Sequence, residues 1–116
     1  MRILRRTLLA TVLATPALAQ ARPLRVIVPF GVGGLTDVVA RILADSMSIT
    51  LDRPMVIENQ GGAGSTIGAA AAARAAPDGN TIMVGSVGHT AMKALYANFP
   101  FDPIESFAPV ALVTRQ

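Results

Sequence analysis

The sequence predicts an α/β domain: a mostly parallel sheet with flanking helices. Three observations carry this. Short β-type runs alternate with helical patterns along the chain. The first and second β-type runs are each closed by a glycine-rich stretch, and the third by a small polar one. Each such stretch is followed by a helix-entry signal rather than by a hairpin turn, the alternation expected of a parallel sheet with helices on its faces.

The first strand is read over Leu24 to Phe30, and a glycine loop, Gly31-Val32-Gly33-Gly34, follows it. Val38, Val39, Ile42, Leu43 and Met47 then give one helical stripe over Leu35 to about Leu51. Thr36 is the predicted N-cap and Asp37 lies in the favoured first turn. The helix ends near Asp52-Arg53-Pro54, since proline disfavours helix in the residue before it. Strand two is Met55 to Asn59, and Gly61-Gly62-Ala63-Gly64 follows. Ser65 and Thr66 are read as caps of a second, alanine-rich helix over Ile67 to Ala76. Alanine has the highest helix propensity and leaves a thin helix that packs close to a sheet. Pro77-Asp78-Gly79-Asn80 is a strong turn. Strand three is Thr81 to Gly85, followed by Ser86-Val87-Gly88-His89-Thr90 and a short helix to about Ala97. One helical turn is expected over Ile104 to Phe107 and a fourth strand over Ala108 to Val113.

Composition narrows the function. The chain has 116 residues, 52% hydrophobic and 15% charged, enough apolar material for one packed domain. It has no cysteine, which removes disulfides and thiolate zinc sites. The net charge of +3 lies at one end: Arg2, Arg5 and Arg6 are three of ten basic residues, leaving seven against seven acidic ones. A neutral body with one tyrosine and no tryptophan has no footprint for nucleic acid. Arg2 to Arg6, the apolar run to Leu18 and the small-x-small pattern Ala17-Leu18-Ala19 predict a secretory signal peptide over residues 1–21. That run is too short for a membrane span. The mature chain, residues 22–116, is expected in the periplasm and not to span the membrane.

In parallel sheets ligands collect at the carboxyl ends of the strands. All three loops are predicted there, and free N–H groups in loops and first helical turns favour an anion. Catalytic groups are scarce. His89 is the single histidine, and Ser86 lacks a nucleophile-elbow context. No cofactor is expected and the chain is not read as an enzyme. An alternative is a nucleotide-binding α/β domain of an exported enzyme, with Glu58 as the ribose acid. The first loop departs from the dinucleotide pattern at Thr36, and no lysine precedes Lys93. A non-binding remnant is the third possibility.

Several motifs occur in order: Val28-Pro29-Phe30 with Gly33-Gly34 and Asp37; Val56-Ile57-Glu58-Asn59 with Gly62-Ala63-Gly64; Ala76-Pro77-Asp78-Gly79; Leu95-Tyr96; and Phe107-Ala108-Pro109-Val110. Together they resemble the Bug family, the TctC-type periplasmic solute-binding proteins of tripartite tricarboxylate transporters. The resemblance implies part of the first lobe of a two-lobed, flytrap-like fold that closes on a small carboxylate. It also implies membrane permease subunits as partners. Carried onto this chain, the ligand-binding positions are Phe30, Gly33, Gly34, Thr36 and Asp37 in the first loop. Gly64, Ser65 and Thr66 follow in the second, and Ser86, Gly88, His89 and Thr90 in the third. Family members carry an asparagine shortly after the third loop, and Ala91-Met92-Lys93-Ala94 lacks it. The chain stops at Gln116, so the expectation is a truncated form without the second lobe.

Overall fold

The computed structural model describes residues 22–96 and 98–115. The predicted signal peptide lies outside the described residues. The elements run β1 (Leu24–Val28), α1 (Leu35–Thr50), β2 (Met55–Asn59), a 3-10 turn (Ala63–Ser65), α2 (Thr66–Ala73), β3 (Thr81–Met83) and α3 (Gly88–Leu95). The strands form one parallel sheet in the order β2-β1-β3. Val26 lies opposite Ile57 on one side and Ile82 on the other.

β1 is central because it is apolar on both faces. Val26, Ile27 and Val28 are each at most 1% exposed, as a strand covered on both sides requires. Burying a side chain of this size contributes about 1.5–3 kcal/mol. The two crossovers run in opposite directions across the sheet. Parallel crossovers are right-handed, so α1 and α2 fall on opposite faces. Val26 and Val28 pack with Leu24 and Ala40, supported by Phe30, Met55, Ile57, Ile82 and Val84. Arg25 is the polar exception in β1, and its guanidinium grips Glu58 on β2 with two bonds, at 2.8 and 2.7 Å.

α1 begins at Leu35, as the sequence suggested, but its N-cap is Gly34 and not Thr36. Its buried positions are Asp37, Ala40 and Ala44, while Val38 and Ile42 are exposed. The predicted stripe is therefore rotated. Small side chains face the sheet where the backbones come closest, and the larger ones flank that line or face out. α2 shows the same preference: Ala69 and Ala70 are buried, and Gly68 has no room for a side chain. A Cβ there would stand 2.5 Å from the Gln60 carbonyl oxygen and 2.7 Å from Pro29 Cα.

At the amino edge, Arg53 bonds the Arg22 carbonyl and the Asn80 side chain, tying the end of α1 to both flanking segments. Asp78 accepts from the Asn80 N–H at 2.9 Å in the predicted turn, where Gly79 takes φ +75°. Residues 104–107 form a hydrogen-bonded turn rather than helix, with Asp102 Oδ1 accepting from the Ile104 and Glu105 amides at 2.9 and 3.1 Å. The expected fourth strand does not form. Residues 108–113 form no regular secondary structure and are exposed, with Val110 at 85% and Leu112 at 71%. β-Structure needs a partner edge, and no described segment pairs with this one. Pro109 further removes a ladder donor.

Candidate functional site

With all three strands parallel, the three loops leave the same edge of the sheet. The order β2-β1-β3 reverses direction at β1, which makes the carboxyl ends of β1 and β3 the switch point where α/β sheets open a crevice. The first and third loops flank it. The second loop, from β2, lies against the first: a Cβ on Gly61 would meet the Gly31 nitrogen at 3.1 Å.

In the first loop Gly33 adopts φ +85°, which costs glycine little. Its N–H donates to Asp37 Oδ2 at 2.8 Å. Asp37 is the third residue of α1, so its carboxylate reaches back over the helix start much as in a capping box. Asn59 Nδ2 donates to Asp37 Oδ1 at 2.8 Å and to the Phe30 carbonyl at 3.3 Å, and Arg41 Nε donates to Asp37 Oδ2 at 3.1 Å. The Asp37 side chain is 2% exposed, and Arg41, the Gly33 amide and Asn59 hold its carboxyl at about 2. Gly34 accepts the first helical bond, from Val38 at 3.0 Å. The N–H groups of Leu35, Thr36 and Asp37 stand ahead of that bond and have no intrahelical acceptor.

In the second loop Gly64 (φ +64°) and Ser65 (φ +76°) are both left-handed. Ser65 occupies the N-cap of α2 without a side-chain bond, so the predicted capping holds by position and not by chemistry. Thr66 is the first helical residue rather than a cap. Its Oγ1 is shut away from solvent with no hydrogen-bond partner among the described residues. The end of α3 meets this loop, since a Cβ on Gly64 would be 3.1 Å from Tyr96 Oη.

The third loop turns directly into α3. Ser86 accepts the His89 N–H at 2.9 Å, and Thr90 Oγ1 bonds the Val87 carbonyl at 3.0 Å. His89 Nε2 sits 2.8 Å from the Pro103 carbonyl, its ring edge-on to Phe107 and stacked near Phe101. That bond anchors the connector behind α3. Lys93 pairs with Asp102 on the same connector, and holds that carboxyl at about 2.

The family model described as tripartite tricarboxylate transporter family receptor, TctC, matches residues 39–116. The chain belongs to this family. Several relatives resemble it over most of its length. One, from Agrobacterium vitis, encoded in the TAR-I ttuE-ttuC' intergenic region, is 43% identical over 112 residues, 93% of this chain and 32% of the relative. Among solved structures, the periplasmic binding protein BugD is 48% identical with a TM-score of 0.72, over 75% of this chain and 29% of BugD. MatC of Rhodopseudomonas palustris with bound malate is 47% identical with a TM-score of 0.74, over 78% of this chain and 31% of MatC. This TctC-family chain thus spans about a third of the length of the relatives it matches.

The resemblance read from the motifs and the parallel α/β class are both borne out. Residue by residue, the fold brings all twelve sequence-predicted positions to the carboxyl edge of the sheet, or to the helix starts beyond it. Asp37 turns inward to its donors and His89 to Pro103, and the Thr66 hydroxyl is closed off from solvent. Sequence reasoning missed Asn59 and Arg41. The signal for Asn59 was a polar side chain closing an apolar strand beside a glycine loop. For Arg41 it was a cation one helical turn beyond Asp37. Glu58, the ribose acid of the nucleotide alternative, is occupied by Arg25. No helix among the described residues is long and apolar enough to cross a membrane.

Proposed function

We propose that this chain supplies part of the first lobe of an extracytoplasmic receptor serving a tripartite tricarboxylate-type transporter. It holds one carboxylate of a small organic acid on backbone N–H groups where the three loops meet. The observation that carries the reading is the edge itself. Orphan first-turn donors of α1, the buried hydroxyl of Thr66 and the third loop all stand at the carboxyl ends of the strands. The malate bound by MatC supports a carboxylate as the solute. The remaining donors come from a second lobe, and the permease subunits in the membrane are the partners. The chain acts after export, with residues 1–21 as its signal peptide.

Hydrogen bonds to a charged group contribute about 1.5–3 kcal/mol each. Micromolar affinity needs about 8 kcal/mol net of the cost of association. On an open edge water competes for every donor, so this chain alone binds malate more weakly than about millimolar. The test is an amide-resolved NMR titration with malate at tens of millimolar or above, with lactate and acetate alongside. The largest shifts are expected at Gly34–Thr36, Gly64–Thr66 and Ser86–Thr90. Shifts confined to the amino edge, near Arg22 and Arg25, would refute the reading. Micromolar affinity in a calorimetric titration would refute the need for a second lobe.

A further inference from the structure

Asn59, Asp37 and Arg41 close a ring of hydrogen bonds under the first loop. Asn59 Nδ2 donates to Asp37 Oδ1 at 2.8 Å and Arg41 Nε to Asp37 Oδ2 at 3.1 Å, while Arg41 Nη2 returns to Asn59 Oδ1 at 3.2 Å. Two further bonds leave the ring, both to loop backbone: from Asn59 to the Phe30 carbonyl at 3.3 Å, and from the Gly33 N–H to Asp37 Oδ2 at 2.8 Å. The three side chains come from two elements, β2 and α1, and Asn59 stands opposite Val28, where the chain leaves β1. A buried carboxylate accepts only, and here each oxygen has its donor. A guanidinium beside it balances the charge, so the ring is close to neutral.

We propose that Asn59 and Arg41 are positioning residues for the loop that receives the solute carboxylate. This rests on the function proposed above. Asn59 fixes the exit from β1 at Phe30. Asp37, oriented by Asn59 and Arg41, holds Gly33 at its positive φ. The loop's path is then settled before any solute arrives, and the Gly34, Leu35 and Thr36 amides are aimed together. The Gly33 amide belongs to the clamp and leaves the donor set. Gly33, read from the sequence as a ligand contact, is thereby reassigned. Pre-ordering of this kind removes a cost that binding would otherwise bear.

The experiment uses the full chain and two NMR readouts, hydrogen exchange without solute and malate-induced amide shifts. Asn59→Leu keeps the shape but removes donor and acceptor; Asn59→Ala removes everything. Both variants are expected to speed exchange at Gly33 by about tenfold, the loss of one charge-assisted bond. They are also expected to shrink the malate shifts at Gly34–Thr36 severalfold, with those at Ser86–Thr90 retained. A filler role would instead leave Asn59→Leu close to the parent, and that result overturns the proposal. So does a uniform rise in exchange across the sheet. Arg41 is half exposed on α1, so Arg41→Gln keeps the fold should the Asn59 variants lose it. It is expected to show the same pattern in weaker form, and unchanged Gly33 exchange there refutes the clamp. Malate shifts absent from the parent protein would defeat the proposed function alone, since Gly33 exchange still decides the positioning role.

Discussion

Gly68→Ala tests the packing that holds α2 against the site. In an unconstrained helix this change stabilises by about 1 kcal/mol, because alanine is the better helix former. Here the added Cβ would stand 2.5 Å from the Gln60 carbonyl oxygen and 2.7 Å from Pro29 Cα. Both are backbone atoms, and Pro29 is held by the end of β1, so no side-chain rotation relieves the clash. Overpacking of this sort costs about 1–3 kcal/mol, and a backbone obstacle puts it at or above the upper end. The net loss is then about 2 kcal/mol or more. For a domain of this size that lowers the melting temperature by roughly 8–16 °C or more. Thermal unfolding followed by circular dichroism reads it directly. Gly31→Ala is the control: a Cβ there meets nothing within 4 Å, and stability is expected to change by less than about 0.5 kcal/mol. A Gly68→Ala protein as stable as the parent would refute the close approach of α2 to the strand ends, and with it the placement of the second loop.

Three other outcomes follow from the geometry. Asp37 and Asp102 both have folded pKa values of about 2, below the roughly 3.9 of an unfolded aspartate, so the unfolded chain binds protons first. Their stabilisation is present above about pH 4 and is lost as pH falls towards 2. Asp37→Asn or Asp102→Asn should flatten the acid limb of a stability curve measured by urea titration, and an unchanged limb would refute the pairing. Thr66→Val removes a buried hydroxyl that lacks a partner, a group costing about 1–3 kcal/mol when unsatisfied. A higher melting temperature is expected, and a lower one would mean the hydroxyl has an acceptor. Val110→Asp with Leu112→Asp should reduce concentration-dependent association in sedimentation velocity without changing the melting temperature, since both side chains are exposed.

What the sequence disclosed was mostly what neighbouring residues decide among themselves. β2 was legible to the residue, because Pro54 fixes its start and glycines its end. β1 and α1 were legible to within about two residues, the ordinary fraying of element ends. The rotation of the α1 stripe was not legible. Periodicity finds the apolar arc but not which part of it meets the sheet, and that is set by how closely Ala40 and Ala44 let the helix approach. The fourth strand failed for the same reason in stronger form, since pairing depends on a partner edge and not on local composition. At the site, the loops could be placed at one edge by topology alone. The ring joining Asn59 to Asp37 and Arg41 spans two elements, and only the β1–β2 register brings its members together.

The strand order also governs assembly. β1 is the first strand to be synthesised and the one that ends in the middle of the sheet, with Arg25 paired to Thr81 far along the chain. It cannot be completed until β3, which ends at Met83, is available. Such long-range closure is slow compared with helix formation. The sheet therefore closes after its helices can form, and until then its strand edges stand open to proteases and chaperones.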